Sequence, residues 1–198
     1  MAMGRMARLV GAIVLAAAAS ACGGGGGGDD GGVVGGPQSG SFSAADTTPP
    51  AGSMSLQQGT RSGLVVNVLV SATNVNDFFG AGVRLDYDPA VVRFESSDTS
   101  TSFLRDPPFG GGGAPLQFQV DGSTPGSVIV SAARLQNAQG TATGVNVAGT
   151  RTVVSLQFRL LVATNGSPVS LPSAQREVRN SQDAVLTLPW FSGVFVAN

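Results

Sequence analysis

The sequence predicts an all-β protein whose ordered part is a nine-stranded jelly-roll β-sandwich. Three observations lead to this prediction. Val, Thr, Leu and Phe alternate with polar residues in short runs, and turn residues recur between these runs. Beyond the amino terminus, no run keeps an apolar period of 3.6 residues over about ten residues, as an amphipathic helix would. Short strands joined by Gly- and Pro-rich turns bury their apolar faces by packing as two sheets.

The strands are placed by their alternation and by the turn residues that end them. In chain order we expect strands at 64–72, 83–87, 91–95, 116–120, 126–134, 152–162, 169–171, 185–188 and 194–196. The strand at 83–87 ends before Pro89, because proline cannot donate to a strand ladder. In the strand at 64–72, Val66, Val68 and Val70 share one face. The clearest run is 152–162, whose inward face should comprise Val154, Leu156, Phe158, Leu160 and Val162.

The first 22 residues have the three zones of a secretory signal. Arg5 and Arg8 form a positive segment, an apolar stretch follows at 9–19, and the small residues Ser20 and Ala21 come next. The apolar stretch holds about 11 residues, whereas a membrane-spanning helix needs about 20. We therefore expect 1–21 to be a cleaved lipoprotein signal peptide rather than a permanent transmembrane anchor.

The residues at the end of this signal resemble the lipobox of bacterial lipoproteins. In that motif, here Ala19-Ser20-Ala21-Cys22, the cysteine thiol is diacylated and the signal is cut just before it. Cys22 is the only cysteine, so it cannot form an internal disulfide, and acylation accounts for it. The alternative is an ordinary signal peptide cut near Ala21. Because Gly23 follows the cysteine, the resemblance implies an exported protein of the cell envelope, lipid-anchored to the outer membrane in preference to the inner membrane.

A Gly- and Pro-rich stretch, 22–53, separates the signal from the remaining sequence. It has too few apolar side chains to offset the entropy of ordering it. We expect a disordered, flexible linker there. The β-sandwich domain is accordingly predicted to span 54–198.

Composition narrows the classes of function. From Cys22 onward, nine arginines face twelve carboxylates, and there is no lysine, so nothing is basic enough to predict nucleic-acid binding. The chain also has no histidine, the commonest general base and transition-metal ligand. A Ser-His-Asp triad is therefore impossible. We expect a non-catalytic module without an organic cofactor.

Four segments resemble, in the same order, strands of the cohesin domain, the receptor half of the cohesin–dockerin pair. They are 66–75, 82–92, 126–133 and 149–161. The most specific piece is Tyr87-Asp88-Pro89, which is shared with sandwich domains of the carbohydrate-binding-module type. Physically, Tyr87 should pack inward while Asp88 caps the turn before the next strand. The resemblance implies that a sheet face binds a protein partner, dockerin-like in kind, and it identifies no individual contact residues.

Asn74, Asn76 and Asp77 form a cluster of hard oxygen ligands that suits calcium. The same residue types are equally good turn formers, so both interpretations stay open. Asp86 and Asp88 lie on one face of a strand, where a solvated residue and a turn cap are the simpler interpretation. We therefore expect no cofactor, with calcium as the possible exception.

Trp190 and Phe191 are the aromatic candidates for ligand binding. Exposed, they could stack on a sugar or anchor a partner, whereas a single Trp beside the last strand more often packs on the core. Phe78 and Phe79 form a second candidate pair. Because a flat cellulose-binding strip needs several exposed aromatics, protein binding is favoured over the alternative, polysaccharide binding. Membrane contact is expected only through lipid on Cys22.

Overall fold

The computed structural model describes residues 36–106, 115–136 and 140–198. The predicted signal peptide, Cys22 and the glycine runs at 23–28 and 110–113 lie outside the described residues. The strands of the described ranges are β1 Gly40–Ala44, β2 Ser53–Ser62, β3 Val65–Thr73, β4 Gly80–Asp86, β5 Val92–Asp98, β6 Leu116–Asp121, β7 Ser127–Arg134, β8 Thr150–Leu160, β9 Thr164–Val169, β10 Arg176–Arg179, β11 Trp190–Phe191 and β12 Gly193–Ala197. Two short 3₁₀ turns, Phe103–Arg105 and Ser173–Gln175, interrupt them. Within these ranges, no helix has the length and apolarity to cross a membrane.

The strands form three sheets that enclose one core. A five-stranded sheet has the order β11-β2-β3-β8-β5, a four-stranded sheet the order β10-β4-β7-β6, and a three-stranded sheet the order β1-β12-β9. Neighbouring strands are antiparallel, except that β11 runs parallel to β2. The prediction of an all-β sandwich is confirmed, with more strands than the nine expected.

Alternation places the apolar side chains as predicted in the middle of the five-stranded sheet. In β3, Val66, Val68 and Val70 are buried, and Val68 lies opposite Leu156 of β8. Each fully buried valine or leucine contributes roughly 1.5–3 kcal/mol relative to an exposed one. These two strands therefore form one wall of the core.

The predicted inward face of β8 is wrong at its end. The strand stops at Leu160, and Val162 is 45% exposed rather than buried. The chain turns after Leu161, whose amide donates to the carbonyl of Val91, and so the alternation no longer points into the core. At the other end, a register shift against β3 leaves both Val153 and Val154 buried.

The predicted boundary between linker and domain is also wrong, because the sandwich begins before residue 54. Strand β1, within the stretch assigned to the linker, pairs with β12, and the Phe42 ring packs edge-on against Phe195 at a centroid distance of 5.3 Å. The amide of Gln38 donates to the carbonyl of Asn198 at 2.7 Å. A single Phe among Ser and Gly gives no alternation signal, and its partner strand lies at the far end of the chain.

Two strands near the carboxyl end differ from the prediction. β9 covers Thr164–Val169, ahead of the expected 169–171. The expected strand at 185–188 is absent from the described ladder, since Val185 makes only an isolated bridge to Arg179. This segment leaves the edge of the four-stranded sheet and reaches β2 of the other sheet, and the crossing prevents continuous pairing.

An aromatic cluster fills the core beside the Tyr87-Asp88-Pro89 turn. The Phe158 ring lies 5.3 Å from that of Tyr87, 5.6 Å from that of Phe94 and 5.1 Å from that of Phe195. Tyr87 is buried, as predicted, and its burial raises the pKa of the phenol above its ordinary value. Asp88 Oδ1 accepts from the Ala90 amide at 2.9 Å, which confirms the predicted turn cap.

Candidate interaction surface

The outer face of the four-stranded sheet forms a shallow trough. Side chains alternate across the sheet, so Val83 and Leu85 point into the core while their neighbours face outward. The outward residues at the centre are small: Gly80 lies opposite Ala133, and Gly82 lies opposite Ser131. No side chain larger than a hydroxymethyl rises from this floor, and another molecule's backbone can approach it closely.

Gly80 and Gly82 on the floor of the trough lack a side chain for different reasons. At Gly80, an added Cβ would lie 2.9 Å from the Cβ of Ala133 and 3.1 Å from the carbonyl oxygen of Ala132, so packing of the domain itself excludes a side chain. At Gly82, an added Cβ would meet nothing within 4 Å. The fold does not require glycine there, and its effect is to keep the trough open.

The trough divides into two hollows that share Gly82, Ser131 and Glu177. The first hollow encloses about 480 Å³, and the side chains at its rim include Arg84, Ile129, Gln175 and Arg176. The second encloses about 340 Å³, with Phe79, Leu135, Arg179 and Asp183 around it. Both are open and shallow, a shape that suits a macromolecular surface better than an enclosed small molecule.

Exposed apolar side chains concentrate at this face. Within the described ranges, five large apolar residues are markedly exposed, and three of them belong to the trough or its edge: Ile129 at 48%, Leu135 at 40% and Val185 at 53%. Val185 flanks Arg179 at the edge of the sheet. Exposed apolar side chains gathered on one face of a domain mark an interaction surface.

The charged rim of the trough is balanced in sign. Arg84 Nε lies 2.6 Å from Asp86 Oδ1, and Arg179 contacts both Glu177 and Asp183. The hydrogen bonds that Arg179 donates to Glu177 and Asp183 raise the pKa of Arg179 above its ordinary value. Arg84 and Arg179 each have a carboxylate partner, whereas Arg176 donates to the carbonyl of Leu171 at 3.1 Å. The rim therefore presents polar groups held in place rather than a field of one sign.

Arg134, the last residue of β7, fixes the loop after β5 from the inner side of the sheet and was missed by the sequence reasoning. Its side chain is fully buried, Nε donates to the Leu104 carbonyl at 3.0 Å, and Nη2 donates to the Asp106 carbonyl at 2.7 Å. Burial lowers the pKa of Arg134 to about 10, and the charge of Asp106 opposes that shift. The residue stands in phase with the inward Val128, Val130 and Ala132 of β7. An arginine at a position where the alternation of β7 places apolar, inward side chains could have identified it from the sequence.

The residues predicted to ligate calcium fasten loops to one another. Asn74 Oδ1 accepts from the Gly149 amide at 2.7 Å, and Asp77 Oδ2 accepts from the Ser181 hydroxyl at 2.9 Å. Both residues have positive φ, 46° and 52°, as turn formers do, and Asn76 is exposed. In the described part of the chain, no three His, Cys, Asp or Glu side chains are grouped as metal ligands. Calcium binding by Asn74, Asn76 and Asp77 stays a prediction.

The candidate aromatic residues do not form one surface. In β11, Trp190 lies in register with the buried Met54, is half-buried and packs against the core, whereas Phe191 lies in register with Ser55 on the opposite face of the strand. Phe78 is fully buried, with its ring 5.0 Å from that of Phe103, so the expected exposed pair with Phe79 is wrong. Only Phe79 reaches the trough.

Comparison with solved structures shows a cohesin-like fold. The complex of CaCohA2 with a CaDoc0917 variant superposes with a TM-score of 0.52 at 15% identity, covering 77% of this chain and 95% of that chain. The solution structure of CaCohA2 from Clostridium acetobutylicum gives a TM-score of 0.50 at 15% identity, covering 81% and 91%. The sixth cohesin of scaffoldin B from Acetivibrio cellulolyticus, in complex with a Cel5 dockerin variant, gives 0.47 at 16% identity, covering 79% and 96%. No family model matches the sequence, and no curated protein matches it.

Proposed function

We propose that the domain is a non-catalytic protein-binding module whose partner docks in the trough of the four-stranded sheet. The observation that carries this proposal is the combination of a small-residue floor with three of the five exposed large apolar side chains of the described residues. The cohesin-like fold adds support, since similar structures include CaCohA2 in complex with a CaDoc0917 variant. A dockerin-like protein is therefore the partner we propose.

The dimensions of the trough favour a partner helix. Leu135, the residue after the end of β7, lies six residues from Ile129, which spans roughly 20 Å at about 3.3 Å per residue. A helix of about 13 residues covers the same length at about 1.5 Å per residue. Laid along the floor, it would bury Ile129 and Leu135 at its two ends, and such buried apolar anchors dominate the binding energy of an interface.

Site-specific photo-crosslinking tests this proposal. A photoreactive residue replaces Ile129 in the full chain, and a matched variant carries it at Leu161, which is exposed but lies outside the trough. After irradiation in the native envelope, we expect a discrete protein adduct at residue 129 and none at residue 161. The proposal is overturned if the two positions give the same adducts, or if neither gives a protein adduct.

We also propose that lipid on Cys22 holds the domain at the cell envelope, with the outer membrane favoured. The lipobox-like residues support this, together with the position of β1, which starts at Gly40. The intervening residues, about 17 of them, reach at most roughly 60 Å when extended, enough to present the trough beyond the lipid headgroups. Metabolic labelling with a fatty acid should mark the chain, and Cys22→Ser should abolish the label and release the protein from membranes. Labelling that persists in Cys22→Ser contradicts the anchor.

A further inference from the structure

The outer face of the five-stranded sheet differs in chemistry from the trough. Across β2, β3 and β8, the outward side chains at its centre are uncharged. Gln57, Asn67, Ser155 and Gln157 carry hydrogen-bonding groups, and Leu69 lies between Gln57 and Ser155. A groove of about 460 Å³ opens beside them, with Asn67, Asp98, Thr101 and Ser155 in its lining and Leu69 as an apolar surface.

A bulge in β2 creates this groove. The pairing of β2 with β3 shifts register between Gln58 and Arg61, and Gly59 lies within the shift. An added Cβ at Gly59 would stand 3.0 Å from Leu69 Cδ2 and 3.1 Å from Asn67 Cβ. Glycine at this position therefore leaves the side chains of Leu69 and Asn67 accessible from the groove.

Several polar groups in the groove have spare hydrogen-bonding capacity. Asn67 Nδ2 donates to Thr60 Oγ1 at 2.6 Å, which orients the amide and leaves its carbonyl oxygen without a partner among the described residues. In the same part of the chain, the hydroxyls of Thr101 and Ser155 make no hydrogen bond. The backbone and side chain of Ser100 hold the pKa of Asp98 below its ordinary value, so this carboxylate is an acceptor at neutral pH.

We propose that this groove binds a neutral saccharide. Sugar hydroxyls both donate and accept, and they match an array of amide, hydroxyl and carboxylate groups. The C–H face of a pyranose ring matches the apolar surface of Leu69. Asp98 is the charged residue in the groove's lining, and it disfavours phosphate, uronate and other anionic ligands.

The saccharide site is independent of the proposed protein partner. The inner faces of both sheets pack on the same core, so their outer faces lie on opposite sides of the sandwich. A ligand in the groove does not cover Ile129 or Leu135, and each site can be removed without the other. Failure of one proposal therefore leaves the other standing.

Affinity electrophoresis tests the saccharide site on the purified domain. The probes are the neutral polysaccharides xyloglucan, mixed-linkage β-glucan, galactomannan and xylan, and the anionic polymers alginate and polygalacturonate. We expect retardation by at least one neutral polymer and by neither anionic polymer. Asn67→Ala with Ser155→Ala should weaken that binding roughly tenfold or more, because two hydrogen-bonding partners are lost.

Ile129→Arg on the opposite face is the control and should keep the saccharide affinity of the unmodified domain. Thermal unfolding of each variant separates loss of the site from loss of the fold, since Asn67 and Ser155 are only partly buried. The proposal is overturned if no neutral polymer retards the domain, if the anionic polymers bind better, or if the folded double variant binds as well as the unmodified domain.

Discussion

At the scale of single residues, Gly80 and Gly82 stand two positions apart on the same face of β4 but differ in what their missing side chains do. Gly80 is enclosed by β7, while Gly82 opens onto solvent. The first glycine is a requirement of packing. The second leaves room for a binding partner, and substitution can tell these two roles apart.

Gly82→Val should fold as the unmodified domain does, because an added Cβ there meets nothing within 4 Å. It should lose the crosslink at residue 129, because its branched side chain fills part of the trough floor. Gly80→Val should be destabilised by about 1–3 kcal/mol, the usual effect of overpacking. Chemical denaturation measures the stabilities, and the photo-crosslinking assay measures binding. Equal destabilisation of the two variants, or normal crosslinking in Gly82→Val, would refute this assignment.

Tyr87 predicts a pH dependence of stability. Burial raises its pKa in the folded domain above the ordinary value near 10, and hydrogen bonds with the backbone of Phe94 and Gly126 offset part of that rise. The folded state thus holds the phenol proton more tightly than the unfolded state. This contribution is fully present below the unfolded pKa and is lost as pH rises through the folded pKa.

Tyr87→Phe should therefore show a smaller loss of stability between pH 9 and pH 11 than the unmodified domain, in urea titrations at each pH. The difference between the two proteins isolates Tyr87 from Arg134, whose pKa of about 10 lies in the same range and is common to both. At pH 7 the variant should lose about 1 kcal/mol for the missing hydroxyl. Parallel pH profiles for the two proteins would show that the phenol does not titrate differently on folding.

At the scale of elements, alternation identified the strands that bury one full face. β3, β4, β7 and β8 carry regular apolar positions and were found near their observed bounds. β10 carries a single buried apolar residue, Val178. After Leu56, β2 contains only Gln, Gly, Thr, Arg and Ser, so neither strand has a regular apolar pattern along its length. Their pairing is imposed by neighbouring strands, a tertiary effect that no local window contains.

We expect β1 to stabilise the domain. A chain that begins at Met54, the boundary taken from the sequence, lacks β1 and the Phe42 contact with Phe195. It should be less stable than a chain that begins at Gly36, and Phe42→Ala in the longer chain should cost about 3–5 kcal/mol. Ser41→Ala, a partly exposed neighbour, is the matched control and should change little. Equal unfolding midpoints for the two chain lengths would contradict a structural role for β1.

At the scale of the whole molecule, the candidate surfaces come from residues that the sequence cannot pair. The register of β4 and β7 places Gly80 opposite Ala133 and Gly82 opposite Ser131, and the sequence does not contain that register. The sequence predicted that a sheet face binds the partner, and it provided no means to tell which face. The groove beside Gly59 depends in turn on a bulge, which appears only when two strands are aligned.

The trough and the groove lie on opposite faces of the same domain. If the trough and the groove are separate sites across one rigid core, Ile129→Arg should abolish the protein crosslinks made by a photoreactive residue at position 135 and keep saccharide retardation. Asn67→Ala with Ser155→Ala should keep those crosslinks and lose the retardation. Saturating saccharide should leave the yield of crosslinked protein unchanged, since neither ligand contacts the other's residues. Competition between the two ligands would mean that they share a surface, and it would contradict binding on opposite faces of the sandwich.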